Sequence, residues 1–355
     1  MSSGRLRTIG SFAVVLVGIL LASAAGWRWL ALAWHAATYP VTSSGDAANV
    51  VVDGSLAFAT LGERGFEIAD TATGTVLGIL PPPPGSESVD DLAIAGGFLF
   101  VLDARPPGHL SVYSLERAPK LTLVSKPVEV PVGPFSGVAA GGGRVIVSGG
   151  TSLMTLRPYD ARGRLGPLLA TLDCGRGQPD VLLSDDGSRA FVSTHRWGPY
   201  FAVTSVRVSA AQPFLVKAGT VKLDTYGFTS GGAKPANFPL ELALDGNVLL
   251  AADLDQLTVM VAEDLDRPRV VARLDVGVNG VNVDARDHIA AVVGSSPKPL
   301  LVLVDVASPA APRIIRSIPL PDGSHPTGVA IGPHDVVVAA GNRGLLRFSL
   351  NDVSR

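Results

Sequence analysis

Short apolar runs recur along the chain in pairs, and the two members of each pair meet at a tight turn. The pairs are NVVVDGSLAFAT, DLAIAGGFLFVL, GVAAGGGRVIVS, DVLLSDDGSRAFVS, LELALDGNVLLAA, VNVDARDHIAAVV and GVAIGPHDVVVAA. Each run is about five residues long, and the second is richer in β-branched or aromatic residues, the pattern of two strands joined as a hairpin. Asp53-Gly54, Asp186-Gly187 and Asp245-Gly246 supply the positive backbone angles that such turns require. The turns fall near positions 53, 96, 142, 186, 245, 286 and 333, at intervals of 43, 46, 44, 59, 41 and 47. A period in the forties with several strands per unit predicts a β-propeller, and seven hairpins predict seven blades.

A third strand follows each hairpin: GFEIAD, HLSVYSL, LMTLRPYD, FAVTSVRV, LTVMVAED, LLVLVDVA and GLLRFSL. A fourth can be read after six of them, as TVLGIL, LTLVSKPVEVP, GPLLATLD, LVKAGTVKL, RVVARLDV and RIIRSIPL. Blade seven has no fourth strand before the last residue, so residues 37–45 are expected to supply it and remove an open sheet edge. The expected fold is therefore all-β: a seven-bladed β-propeller over 37–355, closed by an N-terminal strand and preceded by one N-terminal hydrophobic helix in 1–36.

In LVLVDVASPAAP, Leu301 to Pro312, the third strand of blade six ends at Asp305, and Pro309 and Pro312 stiffen the turn into RIIRSIPL. LSVYSLERAPKLTLVSK in blade two and LTVMVAEDLDRPRVVARLDV in blade five have the same shape. In these stretches the chain resembles the LVIVD-repeat family of secreted or surface-associated bacterial propellers, related to WD-type repeats. Blade six matches best, and blades one, three, four and seven share only the period. The resemblance implies a propeller fold and a location outside the cytoplasm, not a reaction.

The N-terminus has a different character. Arg5 and Arg7 precede residues 8–27, a run of 20 without a charge. As a helix at ~1.5 Å per residue this reaches ~30 Å, the thickness of a bilayer core. Ala22-Ser23-Ala24 fits a signal-peptidase site, but the run exceeds the usual signal core. The flank WRWLALAWHAATYP holds three of the four Trp residues, and Trp27, Leu30, Ala31 and Trp34 share a helical face suited to the headgroup layer. Residues 1–36 are accordingly expected to be a retained membrane anchor or uncleaved signal segment. The inner membrane would hold the chain by a single pass, with the propeller in the periplasm or cell exterior; the alternative is a protein secreted after cleavage. Both readings follow from Arg5 and Arg7 staying inside.

Composition excludes several function classes. The formal net charge of −2 gives no electrostatic case for nucleic acid. The single cysteine, Cys174, excludes an intrachain disulfide and a thiolate zinc site, and reads as a buried free thiol. Phosphate loops, nucleotide-binding glycine motifs, zinc-protease helices and serine-hydrolase elbows are absent, so no cofactor is expected.

Candidate chemistry is sparse. Asp185-Asp186 belongs to a hairpin turn, while Asp253 and Asp255, in the loop between strands two and three of blade five, could contact a cation or polar ligand. The six histidines are scattered. Loops between strands two and three carry Arg64, Arg105, Arg196 and Arg343 on one face, a rim that would draw an anionic ligand or acidic partner. The long interval of 59 adds an insertion that brings His195, Arg196, Trp197, Tyr200, Tyr226 and Lys234 within reach of one another on the side that carries that rim. The alternative for the rim is a solvated surface, and for the insertion a lid over the gap between blades four and five. The sequence therefore favours a non-catalytic binding or scaffold module over the alternative, a lactonase-like or other propeller hydrolase with its site at the channel mouth. Convergent acids or histidines on several inner strands would favour the enzyme. The exceptions to small apolar residues there are Asn49, Asp180, Glu241 and Asn282.

Overall fold

Each of the seven expected hairpins forms. The computed structural model describes residues 37–38, 47–133, 136–149, 153–174, 180–195, 200–224, 240–295 and 297–350. A two-residue strand, β1 (Ala37–Thr38), comes first. Blade 1 is β2 (Val50–Asp53), β3 (Leu56–Thr60), β4 (Phe66–Asp70) and β5 (Thr75–Leu80). Blade 2 is β6 (Asp91–Ala95), β7 (Phe98–Asp103), β8 (His109–Ser114) and β9 (Thr122–Glu129). Blade 3 is β10 (Gly137–Gly141), β11 (Arg144–Ser148), β12 (Leu153–Pro158) and β13 (Ala170–Asp173). Blade 4 is β14 (Val181–Leu183), β15 (Arg189–His195), β16 (Tyr200–Val208) and β17 (Leu215–Asp224).

Blades 5 and 6 share one six-stranded sheet made from β18 (Glu241–Asp245), β19 (Val248–Val261), β20 (Arg269–Arg286), β21 (Ile289–Gly294), β22 (Leu300–Asp305) and β23 (Arg313–Pro319). β19 doubles back, for the N–H of Ala262 donates to the carbonyl of Asn247 at 3.0 Å, and its reversal holds the backbone of Asp253 and Asp255. β20 is the outer strand of blade 5 in its first half and the inner strand of blade 6 in its second. Blade 7 comprises β24 (Gly328–Ile331), β25 (Asp335–Ala339) and β26 (Leu345–Ser349). β1 lies antiparallel to β26, with Ala37 opposite Arg347 and Thr38 opposite Leu346. The rest of the expected closing strand and residues 1–36 lie outside the described residues. Among those described, no helix is long and apolar enough to cross a membrane.

The strand burial follows from the layering. Middle strands such as β7 and β25 are buried at every position, because both faces of a blade pack on neighbouring blades. The apolar core accordingly divides into seven clusters, one at each seam between successive blades. The seam of blades 1 and 2 is aromatic, with the rings of Phe66 and Tyr113 edge-on at 5.7 Å. At the seam of blades 7 and 1 the cluster is largely alanine: Ala47, Ala57, Ala59, Ala69, Ala330 and Ala339. Small side chains fill less of the wedge, and a cleft of about 280 Å³ opens beside them, lined by Val52, Gly332, His334 and Asp335.

Candidate functional site at the channel mouth

In a propeller the inner strands present one edge, with no strand neighbour, to a central channel. Those edges carry N–H groups that need acceptors. The residues at the equivalent place near the start of the seven inner strands are Asn49, Asp91, Gly137, Asp180, Glu241, Asn282 and Gly328. Asp91 answers the need on both sides of a seam. Its Oδ1 accepts from the N–H of Leu92 at 2.8 Å, and its Oδ2 from that of Val138 in blade 3 at 2.7 Å. Asp180 repeats the arrangement with Val181 and with Leu242 of blade 5, both at 2.7 Å. Asp284, two residues further along blade 6, does so with Ala285 at 2.8 Å and Ile331 of blade 7 at 2.6 Å. In each case the two donors sit at equivalent places in successive blades, so one carboxylate staples two inner edges.

Amides complete the series. The Oδ1 of Asn282 accepts from Val329 at 3.2 Å, and its Nδ2 donates to Glu241 Oε2 at 3.4 Å. The Nδ2 of Asn49 donates to Asp91 Oδ1. Burial pushes Asp91 and Asp284 up to about 6 and Asp180 up to about 7, against the opposing pull of the backbone N–H donors. Glu241 is raised well above the ordinary carboxylate range, by burial first and then by Asp180 and Asp91, so these three acids share one electrostatic environment.

The channel mouth is the face that holds the loops between strands two and three. Arg64 ends a short 3-10 turn in blade 1 and opposes the upward effect of burial on Glu67. Arg105 in blade 2 reaches back to Glu63 at 2.9 Å, with Glu87 at 3.9 Å, so its charge is met by acids on the same rim. Arg343 of blade 7 donates through Nη2 to the carbonyl of Asp322 at 2.7 Å. His195 ends β15 and Tyr200 begins β16, bounding the corresponding loop of blade 4. Arg196, Trp197, Tyr226 and Lys234 lie outside the described residues.

The thiol of Cys174 is buried, and that burial pushes it up to about 11. Among the described residues no cluster of His, Cys, Asp and Glu could hold a metal ion. The sequence reading missed Asp91 and Asp284. Aligning positions 49, 91, 137, 180, 241, 282 and 328 would have found the first.

This geometry defines a seven-bladed β-propeller. Neither a protein-family profile nor a curated protein matches the chain in sequence. Among solved structures it is similar to a chain of "Crystal Structure of Mitotic Checkpoint Complex", with a TM-score of 0.66 and 14% identity over 89% of this chain and 90% of that one. At that identity the likeness shows the fold.

Proposed function

We propose that the chain is a non-catalytic binding or scaffold module whose mouth face takes an acidic protein partner or anionic ligand. The observation that carries this reading is the use made of the inner-strand acids. Each of Asp91, Asp180 and Asp284 accepts one backbone N–H donor from its own strand and one across a seam, which suits a rigid platform. That the similar propeller occurs in a structure titled as a complex agrees with a protein partner. The test is binding of the full chain to an immobilised polyglutamate peptide across ionic strengths. Replacing Arg64 and Arg343 together by alanine should slow association several-fold in low salt, roughly tenfold at most, and the difference should fade in high salt. Equal association by the double variant in low salt would sink the proposal.

The convergence of Asp91, Asp180 and Glu241 favours a second reading, a lactonase-like or other hydrolase in which Glu241 holds a proton for a leaving group. Turnover of lactones or esters that Glu241→Gln abolishes would establish it.

The setting is part of the proposal. The uncharged run 8–27, its leading arginines and its Trp-rich flank support a membrane anchor with the propeller in the periplasm or cell exterior. Retention in the membrane fraction after carbonate washing is expected; a mature chain beginning near Ala25 would show an export signal instead. The blade-six repeat supports a place in the LVIVD-repeat family, and residues 37–45 are proposed to close blade 7.

A further inference from the structure

Outer strands leave one edge unpaired, and charged residues normally protect such edges. β9, β13, β17, β20 and β23 each carry at least one charged residue, whereas β5 has none. The uncharged stretch around β5 extends over residues 71–86, sixteen in all. Within it Leu77 and Ile79 are 41% and 38% exposed. On the outer strand of blade 6, Ile314 and Ile315 are 41% and 39% exposed. Arg313 precedes them, tied to Asp305 at 2.8 Å, and Arg316 follows.

Leu77 and Ile315 are equivalent: each is the extra residue at a register shift between the third and fourth strands of its blade. Blades 6 and 1 flank blade 7. The only other large apolar side chain as exposed among the described residues is Leu168, in blade 3.

Blade 7 is where the chain enters. β26 runs from the mouth face to the opposite face, and β1 runs antiparallel to it, so β1 begins, at Ala37, on its end facing away from the mouth. Leu77, Ile314 and Ile315 lie in the halves of β5 and β23 nearest that side. Residues 28–36 separate Trp27 from β1, a reach of at most ~30 Å fully extended. An apolar rim on both sides of the entry point, within reach of an uncharged run long enough for a bilayer, fits a lipid surface. Isoleucines between arginines suit its headgroup boundary.

We infer that the outer rim of blades 6, 7 and 1, through Leu77, Ile79, Ile314 and Ile315, rests on the bilayer and turns the channel mouth away from it. This rests on the membrane-anchor reading. The test uses the full chain in phosphatidylcholine–phosphatidylglycerol vesicles containing nitroxide-labelled lipid, with an NBD fluorophore on Ile79→Cys, Ile315→Cys or, as control, Leu168→Cys. The native thiol can stay, since a buried Cys174 reacts slowly. NBD at 79 and 315 should lose roughly half its emission, and NBD at 168 little, as expected for side chains at the headgroup boundary. Equal emission at all three sites, with the protein still pelleting with carbonate-washed vesicles, overturns the rim contact and leaves the anchor standing. Unquenched labels shielded from aqueous iodide in a dimer would assign the rim to a second copy and equally overturn it. Loss of the protein from the washed vesicles would remove the anchor, and the inference with it.

Discussion

Glu241 stands where blades 2 and 4 have Asp91 and Asp180, but its side chain is one methylene longer and its carboxylate meets Asn282. Its raised pKa, with those of Asp91, Asp180 and Asp284, makes folding sensitive to pH in a definite direction. Below the ordinary carboxylate range these acids are protonated in both folded and unfolded chains. As pH rises the unfolded chain ionises first, while the folded one keeps protons until about 6 at Asp91 and Asp284 and about 7 at Asp180. The unfolded chain binds fewer protons across that window, so stability falls from about pH 4 to about pH 7. Partial exposure to channel water limits the loss to a few kcal/mol at most. Glu241→Gln keeps an acceptor for Asn282 and removes a like charge, so it should raise the melting temperature at pH 8 more than at pH 5. A variant that melts like the parent at both would show that Glu241 is not strained by its neighbours. These positions were half legible in sequence. Asn49, Asp180, Glu241 and Asn282 stand out as polar interruptions of apolar strands, but Asp284 occupies a place that is alanine, valine or leucine in the other blades. Only its contact with Ile331 across the seam gives it a purpose.

Where that place on the inner strand holds neither an acid nor an amide, glycine takes over. Blade 3 begins with Gly137, and its hairpin meets blade 4 backbone to backbone. A Cβ on Gly142, which has φ +53°, would lie 2.0 Å from the carbonyl oxygen of Asp186. Gly142→Ala should therefore cost ~2 kcal/mol or more, since both the left-handed backbone and the close approach resist it. A melt within a degree of the parent would contradict this. Blade 7 begins with Gly328, whose Cβ would meet the carbonyl oxygen of Ala48 at 2.9 Å. Its outer edge is the one that residues 37–45 are proposed to close. Deleting residues 37–45 should lower stability by several kcal/mol, because ladder bonds and apolar cover are lost together. An unchanged thermal midpoint would exclude residues 37–45 as the closing strand. The strand pairs and their period were plain in the sequence because each blade alternates short apolar runs with turn residues. The fusion of blades 5 and 6 was not. It depends on Leu254 of blade 5 pairing with Gly280, where the inner strand of blade 6 begins, a contact between blades that no local pattern announces.

Seven seams of unequal quality make a ring that should not loosen uniformly. The contact of blades 7 and 1 is the one richest in alanine, and a cleft opens beside it. Sub-global opening should start there, so amides of Val337 and Ala59 are expected to exchange with deuterium before those of Phe100 and Val147, at the seam of blades 2 and 3.

β20 has the opposite consequence. A strand of 18 residues that belongs to two blades leaves no joint at which one can be peeled from the other. Under a pulling force, blades 5 and 6 should rupture in a single step about twice the contour length of the steps from their neighbours. Separate, blade-sized steps from Glu241 to Pro319 would show that the shared strand transmits no load. A hinge is thus denied to one side of the disc, and any breathing that admits a partner must come from the other.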